Sequence, residues 1–179
     1  EAKLPVDTGK NKWTMHDLLT HLDSQQGSKG SAARGALVFR KAQCNACHRY
    51  GSEGETMGSD LTSVSRRFQK KEILESILFP SYVISDQYAA QTLTTQDGRS
   101  LTGLVATDGP NRIVLLQASG KKVTIRKDQI DQIRRSKTSL MPEGLLNSLT
   151  LEDVADLMAY LSTPPQANIT RRPRSGKRK

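Results

Sequence analysis

At 179 residues the chain has the length of one domain of ordinary size, or of one domain carrying an insertion and loose ends. Hydrophobic residues make up 35% of it and mean hydropathy is -0.55, so part of the length is expected to be unpacked; no run approaches the roughly twenty apolar residues that span a bilayer. The net charge of +9 is concentrated at the C-terminal end: six of the 27 basic residues and no acid lie in residues 165–179, leaving 21 basic against 18 acidic groups, or +3, before them. Residues 1–12 are polar and aperiodic, a linker. From Trp13 the apolar positions Met15, Leu18, Leu19 and Leu22 recur at helical spacing and predict an amphipathic helix to Leu22, with His16 and His21 on it. Residues 1–29 thus read as linker and N-terminal helix.

Ser31 is placed to cap a second helix running to about Lys41. Gly35 and Phe39 lie one turn apart on its face, the glycine allowing a close helix approach and the phenylalanine filling the space beside it. This helix leads into Cys44-Asn45-Ala46-Cys47-His48. Two thiols three positions apart with a histidine directly after the second fit covalent haem attachment, in which each sulfur adds to one vinyl group and the imidazole becomes the proximal iron ligand. Zinc needs about four ligands; there is no third cysteine, and His16 and His21 lie upstream without the usual pairing. A thioredoxin-like dithiol opens a helix after a buried strand, whereas this motif follows a helix. A glycine-rich loop, Gly51 to Gly58, comes next, then Asp60-Leu61-Thr62. Glu72 to Phe79 form a helix with Ile73, Leu74, Ile77 and Leu78 on one stripe, stopped by Pro80.

The period then changes. Tyr88–Thr95, Ser100–Thr107, Asn111–Gln117 and Lys122–Arg126 are short β-branched runs separated by Asp97-Gly98, Asp108-Gly109-Pro110 and Ser119-Gly120, an antiparallel meander. Residues 85–130 therefore read as an inserted β module between helical segments 30–84 and 131–163. Thr150 caps the last helix, with Asp153 completing a capping-box-like pair. Its stripe is Val154, Leu157, Met158 and Leu161, with Tyr160 beside it, and its expected partner is the Gly35/Phe39 face. Pro164-Pro165 ends it. Residues 164–179 read as a disordered basic tail; without interleaved aromatic residues for base stacking, no specific nucleic-acid partner is expected.

For a second axial ligand there are four methionines. Met15 and Met158 lie on apolar stripes, where core packing is the default, and Met57 is too close to the motif to reach the opposite haem face easily. Met141 stands in the irregular stretch Ser139-Leu140-Met141-Pro142-Glu143-Gly144, and Pro142 holds its backbone extended. It leads, with His16, His21 or an open site as alternatives.

The helix with Gly35 and Phe39, the motif Cys44 to His48, the Met-Pro loop at Met141 and the closing helix with Tyr160 together resemble class I cytochrome c. More narrowly, the chain is similar to the planctomycete-type haem-binding domain, a cytochrome c with an insertion. The matching positions, spread over about residues 30–162, are Gly58, Asp60, Leu61 and Thr62; Ser76, Ile77, Leu78, Pro80 and Ser81; Tyr88, Asp97 and Gly98; Ser139 to Pro142; and Asp156, Leu157, Tyr160 and Leu161. The resemblance implies a mainly α cytochrome c fold around one covalent haem, with a small inserted antiparallel sheet (α+β overall). It also implies thioether bonds at Cys44 and Cys47, and axial ligation by His48 and Met141. The family usually has proline where this chain has Ser59, and the carbonyl there accepts a hydrogen bond from the proximal imidazole; Ser59 keeps a carbonyl on a less constrained backbone.

The function expected is single-electron transfer by a haem c domain rather than catalysis, as an electron-accepting module of a larger exported protein or as a carrier. The rival is a haem sensor or peroxidase-like site with an open or His-ligated sixth position. The expected partners are a redox protein or an upstream dehydrogenase domain. The β insertion and the N-terminal helix are the surfaces open to a homodimer, and the compartment expected is the periplasm or its equivalent, with any export signal or upstream domain outside this stretch.

Overall fold

The helices begin where short polar side chains can take up the first free backbone N–H groups. In the computed structural model, which describes residues 9–165, the first helix is α1, Met15–Asp23, opened by a reciprocal pair between Thr14 and Asp17. Next comes α2, Ala32–Lys41, capped by Ser31. Val64–Arg67 form a short helix, α3. It is followed by α4, Lys70–Leu78, which starts two residues before the expected Glu72 because Gln69 and Glu72 cap each other. The last helix is α5, Leu151–Ser162, opened by the Thr150–Asp153 box. Residues 166–179 of the basic tail and residues 1–8 of the linker lie outside the described residues.

The predicted pairing of α2 with α5 is present and very close. A Cβ on Gly35 would lie 2.0 Å from the Asp156 carbonyl oxygen and 2.6 Å from Tyr160 Cβ, so the two backbones meet where no side chain fits. Asp156, 5% exposed, turns its carboxylate back across the crossing. It accepts from Arg34 Nε at 2.6 Å, Arg34 Nη2 at 2.7 Å and the Ser31 N–H at 2.7 Å. Phe39 is buried beside Tyr160, ring centroids 5.6 Å apart, and Tyr50 packs on Tyr160 at 4.5 Å. Leu18, Leu22, Leu74, Leu78, Val154, Leu157, Met158 and Leu161 complete one buried cluster.

The β segments form one antiparallel sheet in the order β4-β3-β2-β1-β5. The four expected strands are β1, Gln91–Thr95; β2, Ser100–Thr107; β3, Arg112–Leu116; and β4, Lys122–Arg126. A fifth, β5 (Ile130–Arg135), was not expected and carries the sheet past residue 130. The first half of β2 pairs with β1 and the second half with β3. Leu93, Ile113, Leu115 and Ile125 form a second buried cluster, separate from that of the helices. The chain enters the sheet by β1 and leaves by β5, which are neighbours, and the Ser136 N–H extends this pairing to the carbonyl of Ala90 at 2.8 Å. Among the described residues no helix is long and apolar enough to cross a membrane.

Two outcomes follow. Gly35→Val should lower the urea midpoint of unfolding by the equivalent of about 3 kcal/mol, because two backbones rather than a pliable side chain stand in the way. Burial by itself would raise the Asp156 carboxyl, but the bonds from Arg34 and Ser31 outweigh it and hold the group below its ordinary value. Its stabilising contribution is therefore present above about pH 4 and lost as pH falls through the folded value. Asp156→Asn should lose stability at neutral pH and show a shallower fall in unfolding midpoint on acidification than the parent.

Candidate functional site

The cysteines are delivered by an abrupt end to α2. Gln43 takes a left-handed conformation, φ 58°, with its N–H bonded to the Arg40 carbonyl at 2.8 Å. That is a common way to stop a helix, though unusual for a residue with a Cβ. Cys44–Ala46 then form a single 3-10 turn, closed by the N–H groups of Cys47 and His48 on the Cys44 carbonyl at 3.2 and 2.8 Å. Both cysteines are free thiols and partly buried. Burial pushes Cys44 up to about 11 and raises Cys47 as well, so both are neutral at physiological pH.

The glycine-rich segment after the motif folds back on it. Glu55 N–H donates to the Asn45 carbonyl at 3.0 Å, Gly58 N–H to that of Cys47 at 2.7 Å and Leu61 N–H to that of Arg49 at 2.8 Å. Arg40 and Glu53 form a two-pronged pair across the loop. The result fixes the imidazole of His48. Its Nδ1 lies 2.8 Å from the Ser59 carbonyl oxygen, with the Ser59 hydroxyl at 3.5 Å. The carbonyl can only accept, so Nδ1 carries the proton and Nε2 keeps its lone pair. Among the described residues nothing engages Nε2. A Cβ on Gly58 would fall 2.6 Å from His48 Cε1, so the ring lies directly against the loop backbone and only glycine fits there.

Ser59 therefore has the contact for which its carbonyl was singled out. Gly35, Phe39 and Tyr160 meet at the crossing of α2 and α5. Met141 stands on a different loop, reached from β5. Its N–H donates to Ser139 Oγ at 3.1 Å, and the Ser139 N–H to Ser81 Oγ at 3.1 Å, which ties the loop to the segment after α4. Met158 is 1% exposed and Met15 packs against the helical cluster, whereas Met141 is half-buried and outside it. His16 is exposed; His21 is partly buried and its Nε2 has no hydrogen-bond partner. Among the described residues no group of three or more His, Cys, Asp and Glu side chains is gathered so as to hold a metal ion.

Some contacts around these loops gave no sequence signal. Tyr50, 3% exposed, shares its hydroxyl proton between the carbonyls of Tyr160, at 2.8 Å, and Thr163. Asn147 bonds to the segment before α1 through both ends of its amide. A shallow concavity of about 370 Å³ lies at the neck of the sheet, lined by Ser81, Ile84, Arg135, Ser136 and Lys137, away from the cysteines. No protein-family model matches the chain, and no curated protein does.

The burial difference between the thiols gives a direct check. In the cofactor-free chain Cys47 should be alkylated by iodoacetamide before Cys44, and the Cys44 rate should keep rising with pH beyond about pH 10, because only the thiolate reacts. Mass mapping of the labelled site over a pH series reads both.

Proposed function

We propose that the chain is a c-type haem domain that carries single electrons, with a cytochrome c fold interrupted by the five-stranded sheet. The observation that carries the proposal is the imidazole of His48. It directly follows two reduced thiols on one turn, is oriented through Nδ1 by the Ser59 carbonyl, and has Nε2 free to bind a metal. These residues fit the group: Cys44 and Cys47 would tether it by S–H addition, His48 would be the proximal ligand and Met141 the distal one. Haem, when bound, supplies a one-electron iron couple, and a His/Met pair favours a raised potential.

The chain's own contribution is to hold the two ligands and exclude water. His48 and Met141 would hold the iron from both sides, which would leave no place for dioxygen or peroxide and would make the domain a carrier rather than an enzyme. Its electrons would pass to or from a redox partner protein or an upstream dehydrogenase domain, in a periplasmic or equivalent compartment; a homodimer through the sheet or α1 is the assembly to test. The second reading places His21 on the iron, favoured by the unpartnered, buried Nε2.

Absorption spectra decide between them. In protein matured with a haem-attachment apparatus, the oxidised form should show a weak long-wavelength band from sulfur on iron. Met141→Ala should abolish it, and Cys44→Ser with Cys47→Ser should make the haem extractable. A low-spin spectrum without that band, unchanged in Met141→Ala but changed in His21→Ala, would establish the His21 reading. A high-spin spectrum would favour a sensor or peroxidase-like site, and the absence of haem would end the proposal.

A further inference from the structure

Four consecutive residues before α1 are each bonded to another part of the helical unit. The Lys12 N–H donates to Asn147 Oδ1 at 2.8 Å, and Asn147 Nδ2 donates to the Lys10 carbonyl at 2.8 Å. Asn11 Nδ2 donates to the carbonyl of Leu78, at the end of α4, at 3.1 Å. Trp13 Nε1 donates to the carbonyl of Leu149 at 3.1 Å, and Lys10 Nζ lies 3.0 Å from Glu143. Residues 10–12, expected as linker, and Trp13, expected as the first residue of the helix, are instead a strap from α4 to the loop that carries Met141.

These contacts differ in worth. The Lys10–Glu143 pair is largely exposed and contributes little. The Asn147 amide acts like the edge of a strand, accepting from one residue of the strap and donating to another two positions earlier, and both bonds fail if the amide is turned over. Leu146 and Leu149, 2% and 1% exposed, anchor the loop in the core through contacts that are non-directional, and the Asn147 N–H closes a local turn on the Gly144 carbonyl at 2.9 Å, so the Asn147 side-chain amide joins that turn to the strap. On the other side of Met141, Ser139 is bonded to Ser81. The methionine is therefore suspended between two directional anchors, and the second of them is the strap.

We infer that Asn147, through the strap at Lys10–Trp13, is a positioning residue that holds the Met141 thioether in place for the metal. The inference rests on the haem reading above. It makes the strength of the distal bond depend on whether the strap is docked, so that anything drawing residues 10–13 away loosens Met141 while leaving His48 and the cysteines held by their own loop.

The test uses the haem-loaded full chain as wild type, Asn147→Ala and Trp13→Phe. Imidazole is titrated into each oxidised protein, its displacement of the thioether is followed by loss of the long-wavelength band, and urea unfolding is measured alongside. Haem content should be unchanged and the band present before titration. Imidazole affinity should rise about tenfold in Asn147→Ala, which loses two hydrogen bonds, and about threefold in Trp13→Phe, which loses one and keeps its ring. A purely structural role would lower the urea midpoint and leave the imidazole affinity within about twofold of wild type. That result, in Asn147→Ala or in Trp13→Phe should the first fail to fold, overturns the inference and leaves the haem reading intact. A wild type without haem, or without the band, brings down the haem reading and the inference with it.

Discussion

A side chain at position 35 would have to occupy the space of the Asp156 carbonyl, and much of the helical unit follows from that exclusion. With nothing between them, α2 and α5 approach backbone to backbone. The Asp156 carboxylate then reaches the start of α2, and the rings of Phe39, Tyr50 and Tyr160 fill the flank. Arg34 and Asp156 are 122 residues apart in sequence, so this crossing closes a loop containing the cysteine motif, α3, α4, the sheet and the Met141 loop. Closure entropy grows only logarithmically, about 0.6 kcal/mol per doubling of loop length. Once the ends are joined, a long insertion between them costs little.

The sheet takes advantage of this. Its buried residues form their own cluster, apart from the helical one, and its first and last strands are neighbours, so the chain departs from and returns to the helical unit at one place. The neck is fixed by the Ser136–Ala90 bond and by Arg135, which pairs with Asp86 at 2.6 Å. The Met141 loop begins directly beyond it. An insertion built this way can vary in length or surface without disturbing the crossing of α2 and α5, yet it sets where the backbone re-enters just before Met141.

What the sequence disclosed and what it hid divide along the range of the interactions. Helix caps at Ser31 and Thr150, the stripe of α5 and the glycine turns between strands act within a few residues, and all were legible. Met158 sits in the helical core and Met15 packs against it, as their periodic positions required. Strand β5 was not legible because Ile130-Asp131-Gln132-Ile133-Arg134-Arg135 has two apolar residues in six and lies at the sheet's edge, with Ile133 48% exposed. Helix α3 has four residues, too few to show a period. Residues 10–12 of the strap were read as linker because polar groups there find partners some 135 positions away. At the site, the cysteines and His48 were visible because they are adjacent in the chain. The backing carbonyl of Ser59 entered only through the family resemblance, since any residue other than proline would look the same there.

The same division applies to the two sides of the proposed metal site. The proximal side is local: the cysteines, His48, Gly58 and Ser59 fall within residues 44–59, and the bonds that fix them span thirteen residues or fewer. The distal side is assembled from afar, from Ser81 after α4, the neck of the sheet and a strap at the other end of the chain. Local contacts form with little closure entropy and survive distant disturbance, whereas each long-range anchor can be lost separately. Under the proposed haem reading, a site made this way would keep its cofactor and one ligand firmly while leaving the other ligand responsive to the rest of the chain. If the domain carries electrons as proposed, the responsive ligand would be the one through which the surroundings set the potential, because a thioether is the member of a His/Met pair that raises it.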